Sequence, residues 1–394
     1  MHIRITRLYY GWIVVALSFI TLMFVIGTFS SSGVLFAALV ADYQWSRATT
    51  SLPFSISLVG YAATAWLAGR LFDRYGPRRL FPVGTVCLGL GLIASAYAHT
   101  PWQLCLTWGL LVGQGLNLAG FVTHAALVAL WFRRKRGVAV GLAISGASIG
   151  GLTIVPAIQY LVDHIGWRAA YMLLGWIILR CLTPMNALWQ RHHPADLGLH
   201  PDDLSPGNAA ADQPAIETSP PTSWTLRDAL YTRPFWFFFI MATGVGWLSN
   251  IVSVHLISHL TDNGFSSLLA ASMIGLMSLL RAGSGTVWGG LSDRFGREWI
   301  YTFGSTLSIV GLTSLALLHP LSPLGTLYAS ILILGVGYGV HGSLEASSVA
   351  NRFQGPFLGT ILGALELGWG LGGFLGSWGG GFWYDTWRSY HAQK

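Results

Sequence analysis

Gly69–Leu80 reads GRLFDRYGPRRL, and Gly289–Glu298 reads GGLSDRFGRE. The strings share a frame: Gly69, Asp73, Arg74 and Gly76 return as Gly289, Asp293, Arg294 and Gly296, each 220 positions later in a chain of 394 residues. Both strings sit between long apolar runs. A charged, glycine-bearing turn that recurs at about half the chain length marks a duplicated unit, so the sequence is read in two halves.

Composition names the solvent of those halves. Hydrophobic residues make up 53% of the chain and charged residues 9%, with a mean hydropathy of +0.55. A soluble domain carries about 25% charged residues to keep its surface wet, far more than are available here. Runs of about 18 or more apolar residues read as membrane helices. They occur along the whole length, so the first is a span and not a cleaved signal peptide. We expect an all-α polytopic membrane protein with spans near 10–36, 47–71, 79–98, 102–131, 137–162 and 167–189, then 233–261, 266–291, 299–318, 323–347 and 357–381.

The net charge of +7 is explained by its placement. With alternating spans, sixteen Lys and Arg fall in one set of loops, among them Arg70, Arg74, Arg78, Arg79, Arg133, Arg134, Lys135 and Arg136. Only Arg47, Arg168, Arg388 and Lys394 fall in the other. This bias places the crowded loops and the amino terminus in the cytoplasm. The basic charge sets topology, and no nucleic-acid partner is expected. Cys87, Cys105 and Cys181 lie in apolar segments, without the spacing of a disulfide framework or metal site.

Residues 1–189 form an amino-terminal six-helix bundle in this reading, and 233–394 a carboxy-terminal bundle of five. Between them, 190–232 holds DDLSPGNAAADQPAIETSPPTS and reads as a flexible cytoplasmic linker. WTLRDALYTRPFW at its end reads as a short interfacial helix before span seven. Both charged strings then join the second and third spans of a half. Internal repeats of this kind characterise secondary transporters. An Asp and several Arg at the cytoplasmic mouth of two helices can pair across the gap and favour one gating state. Gly69, Asp73, Arg74, Gly76, Asp293 and Arg294 are the gating candidates, the glycines allowing the tight turn and close helix approach.

The two strings resemble the signature loop of the major facilitator superfamily. Within it the chain is most similar to the monocarboxylate porters and their oxalate/formate antiporter relatives. YYGWIVVALSF, WSRATTSLPFS, WFRRKRGVAVGLAISGASIGGL, GWRAAY and LTDNGFS carry the likeness over nearly the whole chain. The resemblance implies two helical bundles rocking about a central cavity, with spans eight and eleven bordering its carboxy-terminal side.

Charges inside the bilayer are costly and usually functional. Arg281 stands 12 residues before Asp293, about 18 Å along a helix and close to the midplane of a core about 30 Å thick. Glu366 reaches a similar depth in span eleven. Arg281 is expected to hold a substrate carboxylate, and Glu366 to be its partner in the empty state or a proton carrier. Relatives that carry carboxylates typically place an Arg where this sequence has Gly285, and often an Asp where it has Arg281. Here the positive charge keeps its helical face but sits about 6 Å further along the axis. Asn117 shares a face of span four with Gln114 and Phe121, and its amide could orient a ligand. Tyr61, Asn250, Tyr338 and His341 are further candidate liners. His255 and His259 read as an interfacial pair, and Arg180 as a peripheral residue snorkelling toward the cytoplasm. GASIG at Gly146–Gly150 matches a hydrolase elbow in spelling, but within a span its small residues serve helix contact.

The expected function is secondary active transport of small organic anions, monocarboxylates foremost, by alternating access with proton symport or anion exchange. The alternatives are an efflux porter for larger amphipathic compounds or a truncated membrane protein that does not transport. No nucleophile, metal cluster or phosphate loop stands in a suitable context, so neither an enzyme nor a cofactor is expected. The expected partners are the anion, membrane lipid and protons, with the chain a monomer in the plasma (inner) membrane. At the 220-residue offset, YDTWRSYH at Tyr384–His391 resembles the opening of span six. No span's length follows, so eleven membrane helices are expected, with the twelfth missing and the carboxy terminus opposite the amino terminus.

Overall fold

The computed structural model describes residues 9–132, 136–200, 224–320, 322–353 and 358–387, apart from some side chains within them, Asp73 and Asp293 included. Every regular element among the described residues is helical. In the amino-terminal half, α1 spans Tyr10–Tyr43 with a break at Ser31, α2 Arg47–Tyr75, α3 Pro77–Ala96, α4 Pro101–Trp131, α5 Arg136–Ile165 and α6 Trp167–Trp189. In the carboxy-terminal half, α7 spans Arg233–Asp262, α8 Ser267–Phe295, α9 Arg297–Ala316, α10 Leu324–Arg352 and α11 Leu358–Trp387. Over the described residues, nine of these helices are long and apolar enough to cross a membrane. Their outer faces carry large apolar side chains such as Ile309 at 66% exposure and Val122 at 54%, a surface suited to lipid and not to water.

The duplication reaches individual turns. Gly76 ends α2 at φ +70 and donates its N–H to Phe72 O, and Gly296 ends α8 at φ +87 and donates to Ser292 O. Glycine adopts positive φ at little cost, which is why the residue recurs in both strings. At the opposite end, Gln44 and Gly264, again 220 apart, turn the chain at φ 52 and 85. Ser46 and Ser266 follow as matching N-caps, accepting from the N–H of Thr49 at 3.1 Å and of Leu269 at 3.3 Å.

Within the amino half α1 packs along α5, and α3 against α6; within the carboxy half α7 packs along α11, and α10 against α8 and α9. GASIG lies on the α1–α5 seam: a Cβ on Gly146 or Gly150 would strike the carbonyl oxygen of Phe19 or Met23. The halves meet through α2 with α11, α5 with α8, and the second part of α1 with α7.

Those seams are closed at one end only. A Cβ on Gly381 would come 2.6 Å from the Arg47 carbonyl oxygen, and on Gly373 2.8 Å from Leu58 Cδ1. Ala62 touches the site of a Gly370 Cβ. Continuing that antiparallel register, Gly69 would face Gly363, yet nothing lies within 4 Å of either position. The α5–α8 seam behaves alike: Gly151 meets Ser278 and Gly275 meets Leu152, whereas nothing approaches Gly141 or Gly289. The bundles converge at the end bearing Gln44 and Gly264 and part toward the end bearing the two charged turns, hereafter the loop end. Most of the expected linker (201–223) and the final residues (388–394), on which the twelfth-helix expectation turns, lie outside the described residues. The expected helix before α7 is present as Leu226–Leu230.

Candidate functional site

Arg281 is the middle residue of α8 and is exposed. Its guanidinium carbon lies 4.9 Å from the centroid of the Tyr338 ring on α10, a cation–π contact. Tyr338 and, one turn on, His341 are buried. His341 Nδ1 and Tyr301 Oη of α9 share a hydrogen bond of 3.1 Å. Glu345, half-buried, continues the same helical face. Glu366 on α11 is half-buried and lies within electrostatic reach of both Glu345 and Tyr61 of α2. Trp369, one turn beyond Glu366, meets the Tyr61 ring at 6.1 Å between centroids. Among the described residues the Arg281 guanidinium makes no ion pair, with Glu366 or any other acid, and neither glutamate has a hydrogen bond or ion pair.

The amino half contributes neutral polarity. Asn117 Nδ2 donates to Thr64 Oγ1 at 2.8 Å and approaches Tyr61 O at 3.4 Å, while Thr64 Oγ1 lies 2.8 Å from Gln114 Oε1. Asn117 is thereby tied to α2 and buried. Phe121, beyond the break at Gly120, is 43% exposed. Asn250 is buried between α7 and α11, its Nδ2 donating to Gly246 O at 2.9 Å and touching the site of a Gly373 Cβ.

A third assembly closes the end opposite the loop end. The Arg47 side chain is 8% exposed, and its Nη2 donates to Asp262 Oδ2 at 2.6 Å. Its guanidinium lies 3.6 Å from the centroid of the Tyr384 ring. The backbone N–H groups of Arg47 and Ala48 donate to the two carboxylate oxygens of Asp385, at 2.9 and 2.8 Å. A carboxylate from α11 thus caps the first turn of α2, where the helix dipole favours an anion. Ser267 adds a bond of 3.1 Å to Asp163 across the α5–α8 seam. Sequence reading counted Arg47 only as an outer-loop charge and missed this clasp, whose partners stand 215 to 338 positions away. One signal was present: Asp262 follows Asp42 by the repeat offset.

Other expectations find definite places. His255 Nε2 bonds Ser377 O at 2.7 Å and His259 Nε2 bonds Leu315 O at 2.9 Å, both rings buried. They tie α7 to α11 and α9. Arg180 is exposed on α6, over the Trp176 ring at 5.1 Å. Gly69 lies within α2, Arg74 and Arg294 lie in the last turns of α2 and α8, and Gly76 turns the chain after α2; the side chains of Asp73 and Asp293 lie outside those described.

A pseudo-twofold helical bundle, split at one end around a half-height arginine, has the architecture of an alternating-access membrane carrier. The profile of the Major Facilitator Superfamily matches residues 17–377. The chain belongs to that superfamily, whose members are membrane carriers and not enzymes. It is 30% identical to Monocarboxylate transporter 11 of Homo sapiens over 398 residues, covering 97% of this chain and 79% of that protein. It is 25% identical to the MFS-type transporter YcxA of Bacillus subtilis (strain 168), covering 96% of this chain and 90% of that one. Its fold is similar to that of a bacterial homolog to human lysosomal transporter Spinster in an inward-facing, unoccupied conformation. The TM-score there is 0.75 at 17% identity, covering 97% of this chain and 84% of that one.

Proposed function

We propose that this carrier moves small organic anions, monocarboxylates foremost, by alternating access, with proton symport or anion exchange as the driving force. The observation that carries the reading is Arg281: a guanidinium at half-height, exposed, and without an ion pair among the described residues. A charge left in that state inside a membrane is costly, and a planar fork of donors suits a carboxylate. The names of the relatives at about 30% identity support the same class. The loop end is the cytoplasmic end in this reading, by the charge bias of its loops, and the clasp at Arg47 is the outer gate. Asn117 and Thr64 orient the ligand from the amino half, with Tyr61, Phe121, Asn250 and Tyr338 around it. The test is uptake of labelled short-chain acids into proteoliposomes, with and without an inward proton gradient. Saturable uptake or exchange of at least one acid is expected; no acid-dependent flux under any gradient would remove the proposal.

A further inference from the structure

We propose that Tyr338 is a positioning residue for the substrate: its ring holds the Arg281 guanidinium in the pose that receives the carboxylate, and the Tyr301–His341 pair braces that ring. The inference rests on the carboxylate reading of Arg281 given above and adds the groups through which the arginine is aimed.

An arginine that must catch a small ligand carries a handicap. Its side chain has as much rotamer freedom as any, and ordering it at the moment of binding weakens association. An ion pair or hydrogen bond can do that ordering in advance, but among the described residues the Arg281 guanidinium has neither. The one side-chain interaction it makes there is with the Tyr338 ring, whose centroid lies 4.9 Å from the guanidinium carbon. An aromatic ring attracts a guanidinium without using its N–H donors. The planar fork therefore stays available to a carboxylate. A carboxylate of the protein in the same place would occupy those donors and compete with the ligand.

The ring is fixed in its turn. Tyr338 is 6% exposed, and its centroid lies 5.7 Å from that of His341 with the planes 58° apart. His341 shares its 3.1 Å hydrogen bond with Tyr301 Oη of α9, the two rings meeting edge to face at 5.1 Å and 75°. Through these two rings α9 reaches the one that touches Arg281. Tyr338 Oη makes no hydrogen bond among the described residues, so the ring is held by its faces and edges and not by its hydroxyl.

The backbone sets the height at which arginine and ring meet. α8 and α10 touch at their glycines. A Cβ on Gly339 would strike Ser284 Oγ and come 2.7 Å from the Arg281 carbonyl oxygen, and one on Gly285 would come 3.2 Å from the Gly339 carbonyl oxygen. Trp288 Nε1 of α8 donates to Val336 O of α10 at 2.8 Å. α9 closes on the same stretch, where a Cβ on Gly337 would lie 2.7 Å from Gly304 O. Arg281 and Tyr338 are therefore carried on three helices packed as one unit, and rocking of the two halves would leave their contact in place.

The test replaces Tyr338 in the full-length protein with Phe, with Leu and with phenylalanines bearing one, two and three ring fluorines, which keep the ring's shape while draining charge from its face. Half-saturating concentrations of propionate, butyrate and benzoate are read from thermal stabilisation in detergent and from uptake into proteoliposomes, beside the maximal rates. For each acid that the unaltered protein binds, Tyr338→Phe should stay within about twofold, and fluorination should raise the half-saturating concentration stepwise to about tenfold. The maximal rate should hold, since a contact that orders the free site acts on binding. Tyr338→Leu should match or exceed the trifluorinated ring, and Tyr301→Phe should weaken binding by about threefold by releasing His341. A flat fluorine series would overturn the inference whatever Tyr338→Leu does, because the ring would then act by bulk alone. A tenfold loss in Tyr338→Phe would overturn it too, by assigning the role to the hydroxyl. Loss of binding in Arg281→Ala beside a flat series would leave the carboxylate reading standing. Acids bound equally well by Arg281→Ala, or not bound by the unaltered protein, would remove both.

Discussion

The two halves descend from one unit, yet they divide their chemistry unequally. Arg281 answers Tyr61 at the 220-residue offset, His341 answers Phe121, Glu345 answers Ala125, and Glu366 answers Gly146. Each of these four ionisable groups of the carboxy half has a neutral counterpart in the amino half. The amino half spends its polarity internally, on the Asn117–Thr64–Gln114 chain. In the carboxy half Arg281, Glu345 and Glu366 stand without ion pairs among the described residues. One half can therefore shape and orient a ligand while the other discriminates by charge, a division that concentrates the cost of intramembrane charge where binding repays it.

That asymmetry is most directly broken at Arg281. Arg281→Ala should abolish transport, a loss of roughly 100-fold or more, if its guanidinium holds the substrate carboxylate as proposed. Arg281→Lys should keep the charge but lose the two-point fork, and retain a fraction of the rate. Initial rates at saturating and limiting acid would check both. A rate near that of the unaltered protein in the Ala variant would assign Arg281 to structure and dissolve the contrast between the halves.

The legible parts of the molecule were those written locally. The charged turns, the glycines they need and the lone arginine at half-height each announce themselves within a helix or a turn. The clasp at Arg47 was not legible, because Arg47 meets Asp262 and Asp385 only after helices from opposite halves have been brought together. Glu345 was passed over because it lies seven residues from the loop-end terminus of α10 at Arg352, where a charge is unremarkable until Glu366 is placed near it. His255 and His259 read as an interfacial pair from their position near a helix end. Their carbonyl partners on α11 and α9 belong to the tertiary packing, which no periodicity encodes.

A second difference between the halves concerns one repeated residue. Asp42 works inside its own half, where Oδ2 accepts from Trp167 Nε1 at 3.0 Å and from Arg168 Nη1 at 2.9 Å. Its counterpart Asp262 reaches across the seam to Arg47. The same position thus holds a bundle together in one copy and holds two bundles to each other in the second. Asp262→Ala or Arg47→Ala should favour opening at the clasp end, shifting the balance of open forms by about tenfold for loss of one partly buried, charge-assisted bond. Asp385→Ala should act in the same direction by uncapping α2. A cysteine at Ala48, labelled with a membrane-impermeant reagent, should react faster in each variant. Unchanged labelling would mean that the clasp is not what keeps this end shut.

The smallest effect is expected at Asp42 itself, and it sharpens the comparison because it should differ in kind. The Asp42–Arg168 pair is well exposed, at 40% and 39% of the side chains, and exposed pairs contribute little, about 0–1 kcal/mol. Arg168 is also held by Tyr43 Oη, to which its Nη2 donates at 2.7 Å. Removing the carboxylate therefore leaves that side chain with a partner. Asp42→Ala should lower the thermal midpoint of the purified protein by no more than a few degrees and leave the reactivity of a cysteine at Ala48 unaltered. No bond of Asp42 crosses between the halves among those described, so its loss favours neither open form. If Asp42→Ala instead accelerates labelling as Asp262→Ala does, the two aspartates do the same job. The functional split between the repeats would then have to be sought at Arg281 and the glutamates alone.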